Sequence, residues 1–402
     1  MKTTLIKVVG GNVVSQLLGV ISVPLMLTSY PTVDIGAYGF FISASAIASV
    51  FVSFRAENIM FSVSNDAARS LYNFCIAWLF FAALVVIGVT SAYTVSTASH
   101  LTLATIAASF SIAMFNTGYG ISVRQGETNH YVFAKVLRNL IELMAVVICI
   151  SFSLRITYLA WLVAGSYMVA ALYSSYRSLS IRFSDITAGF KVLRDNIEFL
   201  RSDFLASALN VAALNLPVMF FYVRGDERLS GIFFSITRIL GTPTLMLAQS
   251  IGTSLKQHAS DELATSGTCE NSLRFVINKI ILRPFPLYAA VWLLVVMGSF
   301  VFIMPKNRDV FWVVVCLSAL FFVRYIFNCI NSIIYVLRLQ RENIVFQASL
   351  LFGGIGGLFV PSDNITGVAC YSFLSGIVYI AFFIWLLRSI YSPINSAGVA
   401  KQ

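Results

Sequence analysis

Apolar residues along this 402-residue chain come in blocks of about 20. A helix of that length, rising 1.5 Å per residue, crosses about 30 Å of hydrocarbon. Twelve blocks are legible, near residues 5–28, 37–56, 71–91, 101–121, 133–153, 157–176, 203–222, 230–254, 283–303, 310–334, 345–361 and 366–388. The first holds Lys7 and Pro24, and the eleventh is short and glycine-rich. A β-barrel would need shorter, alternating segments with frequent polar positions, and the chain has none. The pattern predicts an all-α, polytopic membrane protein.

Composition agrees, with 58% hydrophobic residues, 11% charged residues and a mean hydropathy of +0.84. A soluble domain carries about 25% charged residues. Lys2 and Lys7 before an apolar run imitate a secretory signal, but no small-residue cleavage site follows, so an uncleaved first helix is expected.

The basic residues set the expected orientation. With a cytoplasmic N-terminus, 20 of the 27 Lys and Arg fall on cytoplasmic segments and helix ends, against five opposite: Arg155, Arg224, Arg228, Lys306 and Arg308. That bias predicts both termini in the cytoplasm. The net charge of +10 then follows from topology and anionic lipid rather than from nucleic acid, for which no module exists. Six cysteines form no CxxC pair and no Cys/His cluster, and the three histidines are scattered, so no metal site, disulfide framework or cofactor is indicated. Without a GxxxxGK[ST] loop, nothing points to ATP hydrolysis.

Residues 177–202 read as a basic cytoplasmic linker between an N-terminal six-helix lobe, 1–176, and a C-terminal lobe, 203–388, followed by a tail, 389–402. The halves share a weak pattern. Gln16, Pro24 and Gly39 are spaced much like Asn210, Pro217 and Gly231, as a parallel internal repeat would place them.

Arg238 and Arg324 remain within spans, where a lone guanidinium costs roughly 2.5–3.5 kcal/mol. Arg324, Asn328, Asn331 and Tyr335 share one helical stripe, as do Ser235, Arg238, Thr242, Gln249 and Thr253. Lys135, Arg138 and Glu142 form a third stripe, and Asn12, Ser15, Gln16, Gly19 and Ser22 a fourth. Taken singly, Asn and Gln serve as interhelical glue. The arginines ask for more. Arg138 has Glu142 one turn away, whereas Arg238 and Arg324 have no obvious carboxylate at their depth. They are expected to line an aqueous, electropositive cavity that takes an anionic cargo. Lys135, Arg138, Asn12, Gln16, Asn116, Asn210, Gln249, Asn328, Asn331 and Tyr335 are the further candidates for cargo contacts. Glu142, the only acid well inside a span, is the candidate for ion coupling. Pro24, Pro217 and Pro243 interrupt helices near these stripes and are candidate hinges.

The first connection, "LTSYPTVDIGAYGFFISASAI", carries Pro31, Asp34, Gly36 and Tyr38. It resembles the signature of Wzx-type O-antigen and polysaccharide flippases, a Pro, an acidic residue and a Gly-x-Tyr after the first helix. "GIFFSITRILGTPTLMLAQSIGTSLKQ" resembles that family's eighth helix, and "INSIIYVLRLQRENIVFQASLL" its tenth helix and following loop. Asp34-Ile35 is a mild departure from the usual acidic residue and aromatic before the Gly.

The resemblance implies the multidrug/oligosaccharidyl-lipid/polysaccharide exporter (MOP) superfamily, with two helical lobes around a central cavity open to one side at a time. It implies no enzyme activity. The implied cargo is a polyprenyl-pyrophosphate-linked oligosaccharide, flipped between leaflets, and the implied partners are a polysaccharide polymerase and a chain-length regulator. Other readings are a multidrug or small-molecule exporter of the same superfamily, a lipid II flippase, and a membrane polymerase or ligase. The last would carry a long periplasmic loop, and here the outward loops are short, the longest being about ten residues.

Overall fold

Breaks between the apolar blocks have local causes. Pro31 offers no N–H and restricts the residue before it, so helix α1 (Lys2–Ser29) stops there and α2 (Thr32–Ser53) starts behind it with Asp34 in its first turn. The far end of α2 terminates where Phe54 and Arg55 both turn left-handed, at φ 50° and 57°. A 3-10 turn, Ala56–Phe61, leads on to α3 (Asn65–Tyr93). Next come α4 (His100–Arg124), α5 (Thr128–Ser151), α6 (Ile156–Ser175), α7 (Phe183–Asp195), α8 (Ile197–Val223) and α9 (Glu227–Ile236). A π-helical turn, Thr237–Gly241, continues α9. Further on lie α10 (Glu270–Phe275), α11 (Phe285–Phe302), α12 (Arg308–Ile330), α13 (Gln340–Phe359) and α14 (Asn364–Tyr391). Four helices start on side-chain caps among the described residues: Ser64 accepts from the Ala67 N–H at 3.4 Å, Asp226 from Leu229 at 3.0 Å, Asn307 from Val310 at 3.2 Å, and Asp363 from Thr366 at 3.1 Å.

This computed structural model describes residues 2–93, 100–176, 183–242, 244–245, 248, 251–252, 255, 259, 262, 269–283, 285–302, 307–331, 333–337, 339–359 and 363–391. Its regular structure is all helical among the described residues. Eight helices, α2, α3, α4, α6, α8, α12, α13 and α14, are long and apolar enough to cross a membrane, which makes this a multi-pass membrane protein. Helix α5 is long enough too but carries the charges singled out above.

The chain divides into two compact units, Met1–Ser235 and Ile236–Gln402. In the first, α1 packs on α5, α5 on α6, α6 on α4, α4 on α2, and α2 on α8. The stretch read as a linker is partly helical. Its amphipathic helix α7 lies along α3, where Gly189 sits over the Ser70 carbonyl and Asn73 donates to Asp185 at 3.3 Å. In the second unit, α14 packs against both α12 and α13, and α11 lies on α12.

Candidate functional site

In the first unit the charged stripe of α5 faces inward rather than toward lipid. The Arg138 guanidinium donates to Glu142 at 3.0 Å, to the Tyr167 hydroxyl of α6 at 2.9 Å, and to the Asn139 carbonyl oxygen. It lies 4.5 Å from the Tyr167 ring centre. Asn139 in turn donates to the Ser15 backbone carbonyl of α1 at 2.6 Å and to its hydroxyl at 2.5 Å. Ser15 donates to the Lys135 carbonyl at 3.2 Å. One turn before Arg138, the Lys135 ammonium sits 4.4 Å above the Tyr119 ring of α4, a cation–π contact. The Tyr38 hydroxyl of α2 approaches Glu142 at 3.5 Å. Five helices thus converge on one buried ion pair.

The resemblance-bearing segment gains a physical account here. Pro31 and Asp34 set the start of α2, and Tyr38 is buried against Glu142. Gly36 meets the backbone of α9: a Cβ there would lie 2.1 Å from the Glu227 carbonyl oxygen, and one at Gly231 2.2 Å from that of Thr32. Only glycine allows this approach.

In the second unit Arg324 sits on α12, half-buried, one turn before Phe327. Phe327 is buried among Phe346 of α13 and Tyr379 and Phe382 of α14, with ring centres 4.7, 5.3 and 5.8 Å away. The phenols of Tyr371 and Tyr379 lie within electrostatic reach of Arg324. No carboxylate comes within ion-pair distance of Arg324 among the described residues; the one ion pair of this unit among them is Arg274–Glu270, at 3.0 Å on α10. Polar atoms accumulate on the same three helices. Gln347 donates to Asn343 at 3.3 Å, while the Gln347 carbonyl oxygen, the Asn331 carbonyl oxygen and the Ser372 hydroxyl are buried with hydrogen-bonding capacity unused. Buried polar atoms in that state call for water or a ligand.

The other candidates are dispersed. Gln16, Asn116 and Asn210 are half-buried on α1, α4 and α8, and Asn328 lies one turn after Arg324. Arg238 sits half-buried in the π-helical turn after α9. Pro24 and Pro217 fall inside α1 and α8. Pro243 and Gln249 lie outside the described residues, as do the side chains of Asn12 and Tyr335. Unforeseen members are Asn139, Tyr38, Tyr119 and Tyr167 in the first unit, and Asn343, Gln347, Tyr371, Ser372 and Tyr379 in the second. Among these, Tyr38 was visible in the sequence as part of the motif after the first helix, and Asn343 and Gln347 as amides one turn apart at the start of an apolar block.

The fold is that of MATE-type transporters of the MOP superfamily. An inward-facing multidrug resistance MATE family transporter of that superfamily matches over 96% of each chain at 13% identity, with a TM-score of 0.64. A MATE protein in complex with MaD3S matches over 100% of this chain and 97% of its own at 14% identity and a TM-score of 0.66. A MOP superfamily transporter from Pyrococcus furiosus, for which reverse polarity of the binding pocket suggests a different function, matches over 99% and 95% at 15% identity and a TM-score of 0.61. No family model and no curated protein matches the sequence.

Proposed function

We propose that this protein is a flippase that carries a polyprenyl-pyrophosphate-linked oligosaccharide from the inner to the outer leaflet of a bacterial inner membrane by alternating access, coupled to an ion gradient. The observation that carries the reading is Arg324: a guanidinium inside an apolar span, with no carboxylate at ion-pair distance among the described residues and with buried amide and hydroxyl groups on its own and neighbouring helices. A bare guanidinium there is costly unless it meets water or an anion. Pyrophosphate suits it, because Arg offers parallel donors to phosphate oxygens. Amides and aromatic rings suit sugars. The Pyrococcus protein supports the idea that this fold accommodates a pocket of unusual polarity.

Glu142 is the proposed coupling residue, and its partners divide the labour. Arg138 is engaged by Glu142, Tyr167 and Asn139, so it serves the pair rather than the cargo. Protonation of Glu142 would release one arm of that arrangement. A multidrug exporter of the same superfamily remains the second reading, favoured by the transport described for the solved MATE proteins. Its cationic drugs would call for acids, and among the described residues the second-unit cluster offers none.

The test is charge reversal. Arg324→Glu, alone and with Arg238→Glu, should abolish surface polysaccharide in a strain dependent on this chain while the protein still inserts. Unchanged polysaccharide with both reversals would remove the assignment.

A further inference from the structure

The first unit holds a partly open cavity of about 220 Å³ that no transport step uses. Its walls include Phe54 at the end of α2, Phe74, Trp78 and Leu79 of α3, and Phe190 and Leu193 of α7. Around its mouth the aromatic residues face outward: Phe54 is 43% exposed, Trp78 37% and Phe190 55%, with Phe51 and Phe81 more than half exposed nearby. Trp78 among them has the amphipathic ring that gathers at the interface between hydrocarbon and headgroups. Four cations, Arg55, Lys191, Arg194 and Arg201, directly follow the lining residues Phe54, Phe190, Leu193 and Leu200, alongside the acids Asp195 and Glu198. This is the side assigned to the cytoplasm by the basic residues.

We propose that this cavity binds one acyl chain of an inner-leaflet phospholipid, wedged between α7 and the turn that ends α2. Size and surroundings select the occupant. At about 30 Å³ for a water-sized group, the space holds roughly seven such groups. That volume is too small for a helix and matches a run of methylenes. An apolar chamber that opens at membrane depth is filled from hydrocarbon, not from water. Helix α7 closes the opposite wall, held on α3 by the Gly189 contact and the Asn73–Asp185 bond, with the Phe74 and Phe190 rings 5.8 Å apart. The bound chain thereby ties a surface helix to the membrane bundle.

The test uses the full chain in phosphatidylglycerol nanodiscs containing a phospholipid with a diazirine at the end of one acyl chain. Illumination should label peptides spanning 74–79 and 190–193 at least fivefold above the exposed face of α6, Tyr158, Trp161, Leu162, Met168, Val169 and Leu172. Filling the cavity with Cys75→Phe or Ala56→Leu should remove the excess while the α6 label stays constant. Phe190→Ala, which opens the mouth and leaves the core untouched, should raise it. Pocket label no higher than that of α6, or label indifferent to both filling variants and to Phe190→Ala, would overturn the proposal.

Discussion

Replacing Glu142 with Gln leaves Arg138 buried without its counter-charge. The pair is closed at 3.0 Å, with side-chain exposures of 20% for Arg138 and 8% for Glu142. Breaking one half of a buried ion pair costs about 3–5 kcal/mol. Tyr167 and Asn139 still accept from the guanidinium, and a fifth of it remains exposed, so the low end applies: about 3 kcal/mol, a large share of the stability of a typical domain. Arg138→Leu with Glu142→Leu removes both charges and should cost far less than the sum of the single substitutions, since apolar replacement of a whole buried pair is often neutral. The assay is SDS-driven unfolding in mild detergent, followed by tryptophan fluorescence. The four proteins of the cycle would be compared, and the coupling between the two sites should exceed about 1 kcal/mol. Additivity within about 0.5 kcal/mol, or an unaltered unfolding midpoint for Glu142→Gln, would refute the view that five helices are organised by this pair. Transport separates stability from coupling: the Leu/Leu protein should fold yet lose dependence on the ion gradient.

Other outcomes follow from single contacts. Gly231→Ala drives a methyl into the Thr32 carbonyl and should lower stability by about 1–3 kcal/mol, read as a drop in the monodisperse fraction on size exclusion. The Thr366 N–H, donating to Asp363 at 3.1 Å, holds that carboxyl below the usual carboxylate range. A lowered value means the cap stabilises above the ordinary Asp range and fades as pH falls through it. Asp363→Asn should therefore unfold earlier than wild type at pH 7, with the gap closing toward pH 3; a gap independent of pH contradicts this.

The spans were legible because period and length are local properties. Eleven of the twelve apolar blocks lie mostly within described helices, and the eighth is described without a break only to Thr242. Helix α7 was hidden inside the basic linker, because a surface helix with one apolar face matches no uniform block. The Arg138–Glu142 pair was legible for the same local reason, four residues being one turn. Tyr119, Tyr167 and Asn139 were not, nor was the approach of Tyr38 to Glu142. Each joins the site across a helix–helix contact, which tertiary packing decides and no spacing along one helix reveals. In the second unit Arg324 was visible by its charge alone, while Tyr371 and Tyr379 of α14 reach it only through packing.

Arg324 also supplies the most direct test. Purified protein in liposomes, loaded with a fluorescent polyprenyl-pyrophosphate-linked oligosaccharide, should move the lipid between leaflets under an ion gradient. Two charge-assisted hydrogen bonds to phosphate, at about 1.5–3 kcal/mol each, set the scale. Arg324→Leu should weaken transport at least a hundredfold at limiting cargo, and Arg324→Lys should restore part of it, with both variants folding as wild type. Full-rate flipping by Arg324→Leu would contradict the assignment of this guanidinium to an anionic cargo.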